Sequence, residues 1–343
     1  MSRILRQHRS ADMIGAVGLA VLAILAATGP GLADFRIATW NIQTLASPGR
    51  KVFPNQDYVR NPTDLAMLAE VGRGLRSDVI ALQEIASPAA LAAVFPVRDW
   101  TLCISGQFYQ TYPQLGRPPV ARCVSEGPLD DTPAAVPLAG QFTAFAVRKE
   151  AGIAVEAGDV PELGVTHRDD DGVERPVRWG LVARLSRGGE TLTLLNVHLK
   201  SGCFDDPPSA DSRSPHCVTF ARQIPLLDGW SRAQTGPFVI LGDFNRRLDL
   251  DRDEVLARLT GADTPAPGDD RRLIRFPFRR PSACLPQPIE SHSYVSIDYI
   301  LLGPGLRGRD YAEFSPPVPD DESPRDFKKR FGDHCPKVVR VGP

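Results

Sequence analysis

The sequence has almost no net charge, although it is 343 residues long. Its 40 Lys and Arg residues nearly balance its 41 Asp and Glu residues, which leaves a formal charge of −1. A protein that follows a long polyanion by charge alone is usually strongly basic, so this balance gives no support for tight, non-specific binding of nucleic acid. It does not exclude catalysis on a phosphate, because a metal ion and a few local arginines suffice for that.

Several common signatures are also missing. The sequence has no internal repeat and no interdomain linker, and it lacks Gly-x-Ser-x-Gly and a Walker loop. These absences argue against an α/β-hydrolase-type serine enzyme and a P-loop NTPase. No Cys-x-x-Cys pair or paired Cys/His spacing supports a zinc site.

The longest apolar run lies near the N-terminus and is too short for a membrane anchor. A basic head precedes the nearly uncharged run 13–27, and small residues follow at 31–33. This pattern predicts a secretory signal peptide over 1–33, with an uncleaved anchor as the alternative. The remaining 34–343 suit one large domain or two small ones. Since the first 33 residues carry three arginines and one aspartate, the mature chain has a net charge of −3.

All six cysteines lie in the mature part of the chain. An even number in an exported protein indicates disulfides, although fifteen pairings are possible. Proximity in sequence favours Cys103–Cys123 and Cys203–Cys217, which leaves Cys284–Cys335. We therefore expect a periplasmic or secreted protein without stable membrane insertion, in which each disulfide contributes roughly 3 kcal/mol.

Short Val/Ile/Leu-rich runs predict buried strands. They cover 35–41, 78–83, 141–148, 152–156, 177–186, 191–199, 237–241, 295–302, 311–314 and 336–341. Helices are predicted after Asn61-Pro62, over 88–94, over 218–232 with a kink at Pro225, and over 254–259. Alternating αβ units combined with hairpins indicate mixed sheets covered by helices.

Polar side chains recur where these apolar runs end. They are Asn41, Gln83, Glu84, Asn196, His198, Asp243, Asn245, Asp298, Asp333 and His334. Charged and amide groups at the ends of buried strands are costly unless they meet a metal, a partner or a substrate. The positions span about 290 residues of sequence, so we expect the fold to gather them into one site.

Each motif has a structural alternative when it is taken alone. In Gly242-Asp243-Phe244-Asn245, extended backbone would turn Asp243 and Asn245 to one side, but an Asx turn is equally typical. His198 lies in an apolar strand and could be a hydrogen-bonded core residue. Glu84 ends a strand, where a carboxylate is either a hard-metal ligand or simply solvated.

The last pair of residues is the most informative. Asp298 lies inside an apolar run and needs a close partner, and it is better placed than Asp333 to orient the His334 ring. A histidine held by a carboxylate is a general acid or base near neutral pH, whereas a surface loop is the alternative for 333–334. Together the motifs favour metal-assisted hydrolysis of a phosphate ester.

These residues resemble the endonuclease/exonuclease/phosphatase superfamily, which includes deoxyribonuclease I, exonuclease III-type enzymes, neutral sphingomyelinases and inositol polyphosphate 5-phosphatases. The similarity covers essentially the whole mature chain, and Gly-Asp-Phe-Asn with the final Asp-His is specific when both occur. The resemblance implies an α/β fold: a four-layer α/β/β/α sandwich of two packed mixed β-sheets flanked by helices. It also implies Mg²⁺, with Mn²⁺ or Ca²⁺ as alternatives.

The resemblance assigns the binding residues. Glu84 would bind the metal, with Asn41 and Asp333 beside it. Asn41, His198 and Asn245 would bind the substrate phosphate.

It also assigns the catalytic residues. Asp243 and Asn245 would position or deprotonate the attacking water, and His198 would assist the leaving group. Asp298 would orient His334 as acid/base or as a group that stabilises the transition state.

Three departures from the family pattern limit the assignment. Gln43 stands where some abasic endonucleases carry an acid, and no 5-phosphatase signature Pro-Ala-Trp-x-Asp-Arg is present. The phosphate-contacting tyrosine has no clean match, although Tyr109 and Tyr112 are candidates. The segment 271–280 interleaves basic and aromatic residues, which suits either a nucleic-acid backbone or a solvated loop.

We therefore expect an exported, disulfide-stabilised, Mg²⁺-dependent phosphodiesterase, first of all a secreted or periplasmic nuclease acting on DNA before RNA. The alternatives are a phosphatase, or a sphingomyelinase-like enzyme acting on a small phosphoester or a phospholipid. A non-enzymatic binding module with the same fold is a third hypothesis, which the full set of polar motifs argues against.

Overall fold

The computed structural model describes residues 34–132, 136–168, 172–248, 253–259, 272–274, 296–314, 316 and 319–342. The predicted signal peptide, 1–33, lies outside them. The strands are β1 Phe35–Leu45, β2 Val79–Ile85, β3 Trp100–Ile104, β4 Arg122–Val124, β5 Phe142–Arg148, β6 Ala154–Val160, β7 Thr166–Arg168, β8 Glu174–Pro176, β9 Gly180–Arg187, β10 Glu190–His198, β11 Phe238–Asp243, β12 Arg272–Ile274, β13 Asp298–Leu302, β14 Arg307–Glu313 and β15 Lys337–Gly342. The helices are α1 Pro62–Gly74, α2 Pro88–Val94, α3 Gln107–Thr111, α4 Pro215–Arg232, α5 Glu254–Leu259 and α6 Pro324–Phe331.

Most strands belong to two mixed sheets. Sheet A has the order β14-β15-β1-β2-β5-β3-β4, and sheet B has the order β12-β13-β11-β10-β9-β6; β7 and β8 form a separate ribbon. In each large sheet one parallel pair lies among antiparallel neighbours: β1 with β2 in sheet A, and β10 with β11 in sheet B. The parallel strands end on the same edge, so the side chains that follow them can meet.

Apolar side chains of both sheets face each other in one continuous core. This core includes Ile37 and Val79 from sheet A and Leu194 and Val239 from sheet B. The outer face of sheet A packs against α1, α2, α3 and α6, and the outer face of sheet B packs against α4 and α5. The architecture is therefore the predicted four-layer α/β/β/α sandwich, which is confirmed.

The helices show where local sequence rules apply and where packing overrides them. Asn61 caps α1 through hydrogen bonds from the backbone of Thr63 and Asp64, as its position before Pro62 predicts. The predicted helix over 218–232 is present as α4, which begins at Pro215 and continues through Pro225 to Arg232; the kink at Pro225 stays a prediction. The apolar face of α4 is buried on sheet B, and we infer that this packing offsets the hydrogen bond that the proline cannot donate. The elements β3, β4, α3, β7, β8, β12 and α6 were not predicted.

Two of the three expected disulfides are present. Cys103–Cys123 joins paired residues of β3 and β4, and Cys203–Cys217 ties the loop after β10 to α4. Cys335 is also disulfide-bonded, and its predicted partner Cys284 lies outside the described residues. Within the described part of the chain, no helix has both the length and the apolar character needed to span a membrane.

Candidate active site

The polar residues at the ends of β2 and β10 do not all belong to the site. Gln83 donates a 2.7 Å hydrogen bond to the Asn196 side chain, and Asn196 donates to the carbonyls of Leu82 and Ala144. All of these groups are buried between the sheets. Gln83 and Asn196 therefore connect sheet A to sheet B in the core, next to the site residues Glu84 and His198 that follow them along the chain.

Irregular backbone turns the next side chains toward each other. The pairing of β1 with β2 shifts register after Asn41, and the pairing of β2 with β5 shifts after Leu82. Gln43, Thr44 and Glu84 have positive φ angles of 48°, 53° and 63°. Such conformations cost about 1–3 kcal/mol each and are typical of functional sites.

Glu84 and Asn41 form the sheet A side of the site. The Asn41 amide nitrogen lies 3.1 Å from Oε1 of Glu84 and 2.9 Å from Oδ2 of Asp243, so it contacts carboxylates from both sheets. The other Glu84 oxygen accepts hydrogen bonds from the backbone and hydroxyl of Thr44 and from the Gln141 amide. These donors fix the Glu84 carboxylate.

Asp243 and Asn245 form the sheet B side. Asp243 accepts 2.8 Å and 3.2 Å hydrogen bonds from the backbone and side chain of Asn245, whose amide also donates to the Leu199 carbonyl. Of the two alternatives for this motif, the structure shows the Asx turn and not extended backbone: β11 ends at Asp243, the Asn245 backbone donates to the Asp243 carboxylate, and Asn245 has a φ of 52°. The two side chains still meet, because the chain turns, while Phe244 packs edge-on against Tyr299.

Gly242 makes this turn possible. Its φ is 143°, and a Cβ there would lie 2.0 Å from the Val197 carbonyl oxygen. Replacing Gly242 by Ala is expected to destabilise the protein by at least about 3 kcal/mol, because strain and overpacking add. Denaturant unfolding measures this. The control is Gly229→Ala in α4, which has open space and should be neutral or stabilise by up to about 1 kcal/mol. Equal stability of the two variants would contradict the prediction.

His198 lies between the two carboxylates. Its Nε2 is 3.5 Å from Asp243 Oδ2 and 3.9 Å from Glu84 Oε1, and it faces an Arg178 guanidinium nitrogen at 2.7 Å. Burial lowers the pKa of His198 well below its usual value, and the charge of Arg178 adds to this. His198 is therefore neutral, and its Nε2 accepts the hydrogen bond from Arg178.

Asp298 and His334 complete the site. His334 Nδ1 lies 2.8 Å from Asp298 Oδ2, which is the partnership expected from the sequence, and His334 Nε2 points toward Asp243 at 4.0 Å. Asp333 is more exposed and lies 3.7 Å from His334 Nε2. The second oxygen of Asp298 is buried and has no partner among the described residues.

The pKa shifts follow from this crowding of charges. Burial raises the pKa of Asp243 to about 7, and Asp298 adds to the rise, while His334 opposes it. Burial alone would lower the pKa of His334, but the charges of Asp298, Asp243 and Asp333 raise it well above the usual value. The histidine is thus a proton donor near neutral pH, held by one carboxylate and pointing at another.

Arg178, Thr44 and Gln141 were missed by the sequence reasoning. Arg178 precedes β9, and its half-buried guanidinium donates to His198; an arginine within the apolar run 177–186 was the available signal. The two tyrosine candidates do not reach the site. Tyr109 donates to Asp130, and the Tyr112 hydroxyl accepts from the backbone of Ala139, both within the outer core of sheet A.

The donor set suits a hard divalent cation. Carboxylate oxygens from both sheets surround one point, toward which the Asn41 amide presents its nitrogen, and the unpartnered Asp298 oxygen adds a free acceptor. Oxygen ligands of this kind are those that Mg²⁺ and Ca²⁺ prefer. Two placements are open: the expected one at Glu84, with Asn41 and Asp333, and a group formed by Asp243, Asp298 and His334, whose ligand atoms lie within 4.8 Å of one another.

A sequence-family model matches most of the chain. Residues 38–334 match the sequence profile of the Endonuclease/Exonuclease/phosphatase family. A search of curated proteins finds no significant match.

Solved structures share the fold at low sequence identity. A Bacteroides vulgatus endonuclease/exonuclease/phosphatase has a TM-score of 0.54 at 16% identity, covering 90% of this chain and 98% of its own. D. rerio TDP2, complexed with a single-strand DNA product, has a TM-score of 0.53 at 15% identity, covering 91% and 100%. A Bacteroides thetaiotaomicron family protein has a TM-score of 0.51 at 13% identity, covering 90% and 95%. At these identities the likeness shows the fold alone.

Proposed function

Because this chain belongs to the endonuclease/exonuclease/phosphatase family, whose members hydrolyse phosphoester bonds, we propose that it is a metal-dependent phosphodiester hydrolase. Within that class we propose a secreted or periplasmic nuclease that cuts DNA in preference to RNA, with its catalytic domain in 34–343. The two disulfides support the exported location, since such bonds persist in oxidising compartments.

One observation carries the proposal. The Asn41 amide contacts the carboxylates of Glu84 and Asp243, and Asp243 in turn lies 4.0 Å from the ring of His334. Residues from opposite ends of the sequence therefore place two carboxylates and a carboxylate-held histidine around one point. In metal-assisted hydrolysis a cation neutralises the phosphate oxygens, while a base and an acid serve the attacking water and the leaving group.

The residues divide these tasks by their chemistry. Glu84, Asn41 and Asp333 would hold Mg²⁺, which would supply positive charge against the phosphate; Mn²⁺ or Ca²⁺ could replace it. Arg178 would hold a phosphate oxygen through the guanidinium hydrogens that it does not donate to His198 and Leu199, and Asn245 and His198 would line the phosphate site.

Proton transfer falls to the two remaining groups. Asp243 is the candidate to accept a proton from water, because burial raises the pKa of its carboxyl group to about 7. His334, held by Asp298, is the candidate to give a proton to the departing oxygen.

A substrate panel tests the function. The purified protein is incubated with plasmid DNA, RNA, sphingomyelin and an aryl phosphodiester, with Mg²⁺ and with chelator. We expect DNA cleavage that requires the metal. Activity on sphingomyelin alone would assign the protein to the lipid phosphodiesterases instead, and no turnover of any substrate would favour a binding module.

Metal binding gives a prediction that does not depend on turnover. Mg²⁺ at about 100 times its Kd should stabilise the folded protein by about 2.7 kcal/mol. Glu84→Gln is expected to abolish this stabilisation, whereas Asp298→Asn should keep most of it, as measured by thermal unfolding with and without Mg²⁺. The opposite result would move the metal to the group of Asp243, Asp298 and His334.

A further inference from the structure

A second concave surface adjoins the candidate active site. It is a pocket of about 330 Å³ between the end of β1 and helix α6. We call it the α6 pocket; its walls include Gln43, Thr44, Arg60, Arg325, Lys328 and Lys329. No step described above uses its cationic side chains.

The pocket is strongly cationic in a protein that has almost no net charge. Four basic side chains line it, against one carboxylate, that of Asp57. Lys329 is paired with Asp326 at 2.9 Å. Arg325 is exposed and takes part in no hydrogen bond or salt bridge among the described residues, so its guanidinium is available to a ligand.

Arg60 supplies a buried positive charge at the base of the pocket. Its guanidinium donates to the backbone carbonyls of Gln43, Arg330 and Phe331. No salt bridge within the described part of the chain includes Arg60. Burial lowers the pKa of Arg60 to about 10, so the side chain remains protonated at neutral pH. Backbone carbonyls satisfy its donors, while Asp64, Glu84 and Asp333 act on its charge from beyond salt-bridge distance, so the positive charge at the base of the pocket favours an anion in direct contact.

The pocket is connected directly to the catalytic residues. Gln43 and Thr44 form one wall, and the same Thr44 donates to Glu84, while the backbone of Gln43 donates to Asn41. On the other side, Lys328 Nζ lies 3.9 Å from Asp333. A molecule held at the Glu84 carboxylate can therefore extend into the α6 pocket.

We propose that the α6 pocket binds a second phosphate group of the substrate, the one adjacent along a nucleic-acid strand to the phosphate being cleaved. This inference rests on the proposed nuclease function and makes it more specific. Arg and Lys are the side chains that bind phosphate oxygens. A chain of phosphodiesters supplies an anion at both places, whereas an isolated phosphodiester or a phosphocholine headgroup supplies only one phosphate.

The test compares two substrates in three variants of the purified protein. Arg325→Ala, Lys328→Ala and the double variant are assayed on a labelled single-stranded DNA oligonucleotide and on an aryl phosphodiester. The KM for the oligonucleotide should rise at least about fivefold in each single variant and further in the double variant. In Arg325→Ala, which leaves the Lys328–Asp333 contact in place, the kcat/KM for the aryl phosphodiester should not change.

Arg98→Ala is the matched control. Arg98 is exposed and lies just before β3. The first residue of β3, Trp100, pairs with Arg148 at the end of β5 that is remote from the site, so Arg98 is remote from it too. The KM of the Arg98→Ala variant on both substrates should equal that of the unmodified protein. The Arg325 side chain is exposed, so loss of folding does not confuse the result, and Arg325→Ala also leaves the Lys328–Asp333 contact in place.

Binding without turnover separates this inference from the proposed function. With chelator present, fluorescence anisotropy measures the affinity for the oligonucleotide at several salt concentrations. The double variant should bind less tightly, and its salt slope should be smaller by about 0.7, because the protein then neutralises one phosphate fewer. Unchanged affinity and slope would overturn the α6 pocket as a phosphate site, as would equal effects on both substrates. Absence of cleavage by the unmodified protein would instead refute the nuclease function. The anisotropy would still show whether the α6 pocket binds a phosphate group.

Discussion

Replacing Asp243 by Asn is expected to lower kcat/KM for a phosphodiester by roughly 10²–10⁴-fold while the protein stays folded. The Asp243 carboxylate accepts from the backbone of Asn245 through one oxygen and from the amides of Asn41 and Asn245 through the other. An asparagine must turn its NH₂ group toward at least one of these donors. The substitution therefore removes a negative charge from the centre of the site and breaks its hydrogen-bond pattern.

Steady-state assays on an aryl phosphodiester measure this decrease, and circular dichroism checks the fold. Asp78→Asn is the matched control, because Asp78 precedes the same β2 strand that carries Glu84 at its other end. Asp78 accepts from Arg36 and Arg187, so its replacement should reduce stability but leave kcat/KM unchanged. Activity of Asp243→Asn within tenfold of the unmodified protein would remove Asp243 from the reacting centre.

The second large effect concerns Asp298 and His334, which should act as a unit. Asp298→Asn is expected to lower kcat roughly 10²–10⁴-fold, because it no longer holds the histidine in the required tautomer and orientation. His334→Ala should lower kcat by a similar factor. The double variant should be no more than about threefold slower than the worse single variant, since groups that act together are not additive.

Two measurements distinguish this coupling from a structural role of Asp298. Because Asp298 raises the pKa of His334, Asp298→Asn should lower that pKa, which NMR titration of the His334 ring reports. Added imidazole should partly restore activity to His334→Ala but not to Asp298→Asn. Multiplicative effects in the double variant, or an unchanged His334 pKa, would show that Asp298 does not act through the histidine.

Much of the fold followed from local sequence patterns. Apolar runs with polar ends located most of the central strands, and Asn61-Pro62 located the start of α1. Short or polar elements escaped this reasoning. The strand β3 is only 5 residues long, and α6 is dominated by charged residues. In α6 the signal was the spacing of Phe327 and Phe331, which stack on each other and, through Phe331, on Trp40.

For the candidate site, the sequence supplied residue types but not all of their places. Asn196 was grouped with His198 because alternate residues share a strand face, and both do face sheet A. Only His198 reaches the edge of the sheet. Asn196 lies two residues earlier along β10, where it is buried and joins the two sheets through hydrogen bonds to β2. Depth along a strand depends on how the sheets overlap, which no local pattern encodes.

The sequence patterns by themselves determined mixed sheets covered by helices and the identity of the polar groups, because strand burial and turn residues are local properties; the packing of two sheets was implied by the family resemblance. Tertiary structure alone decided that Arg178 lies against His198, that Arg60 lies charged beneath the α6 pocket, and that Glu84 faces Asp243. Those contacts join segments distant in the chain. They depend on bulges, positive φ angles and the packing of two sheets. These contacts therefore stabilise the protein only once the whole core has formed.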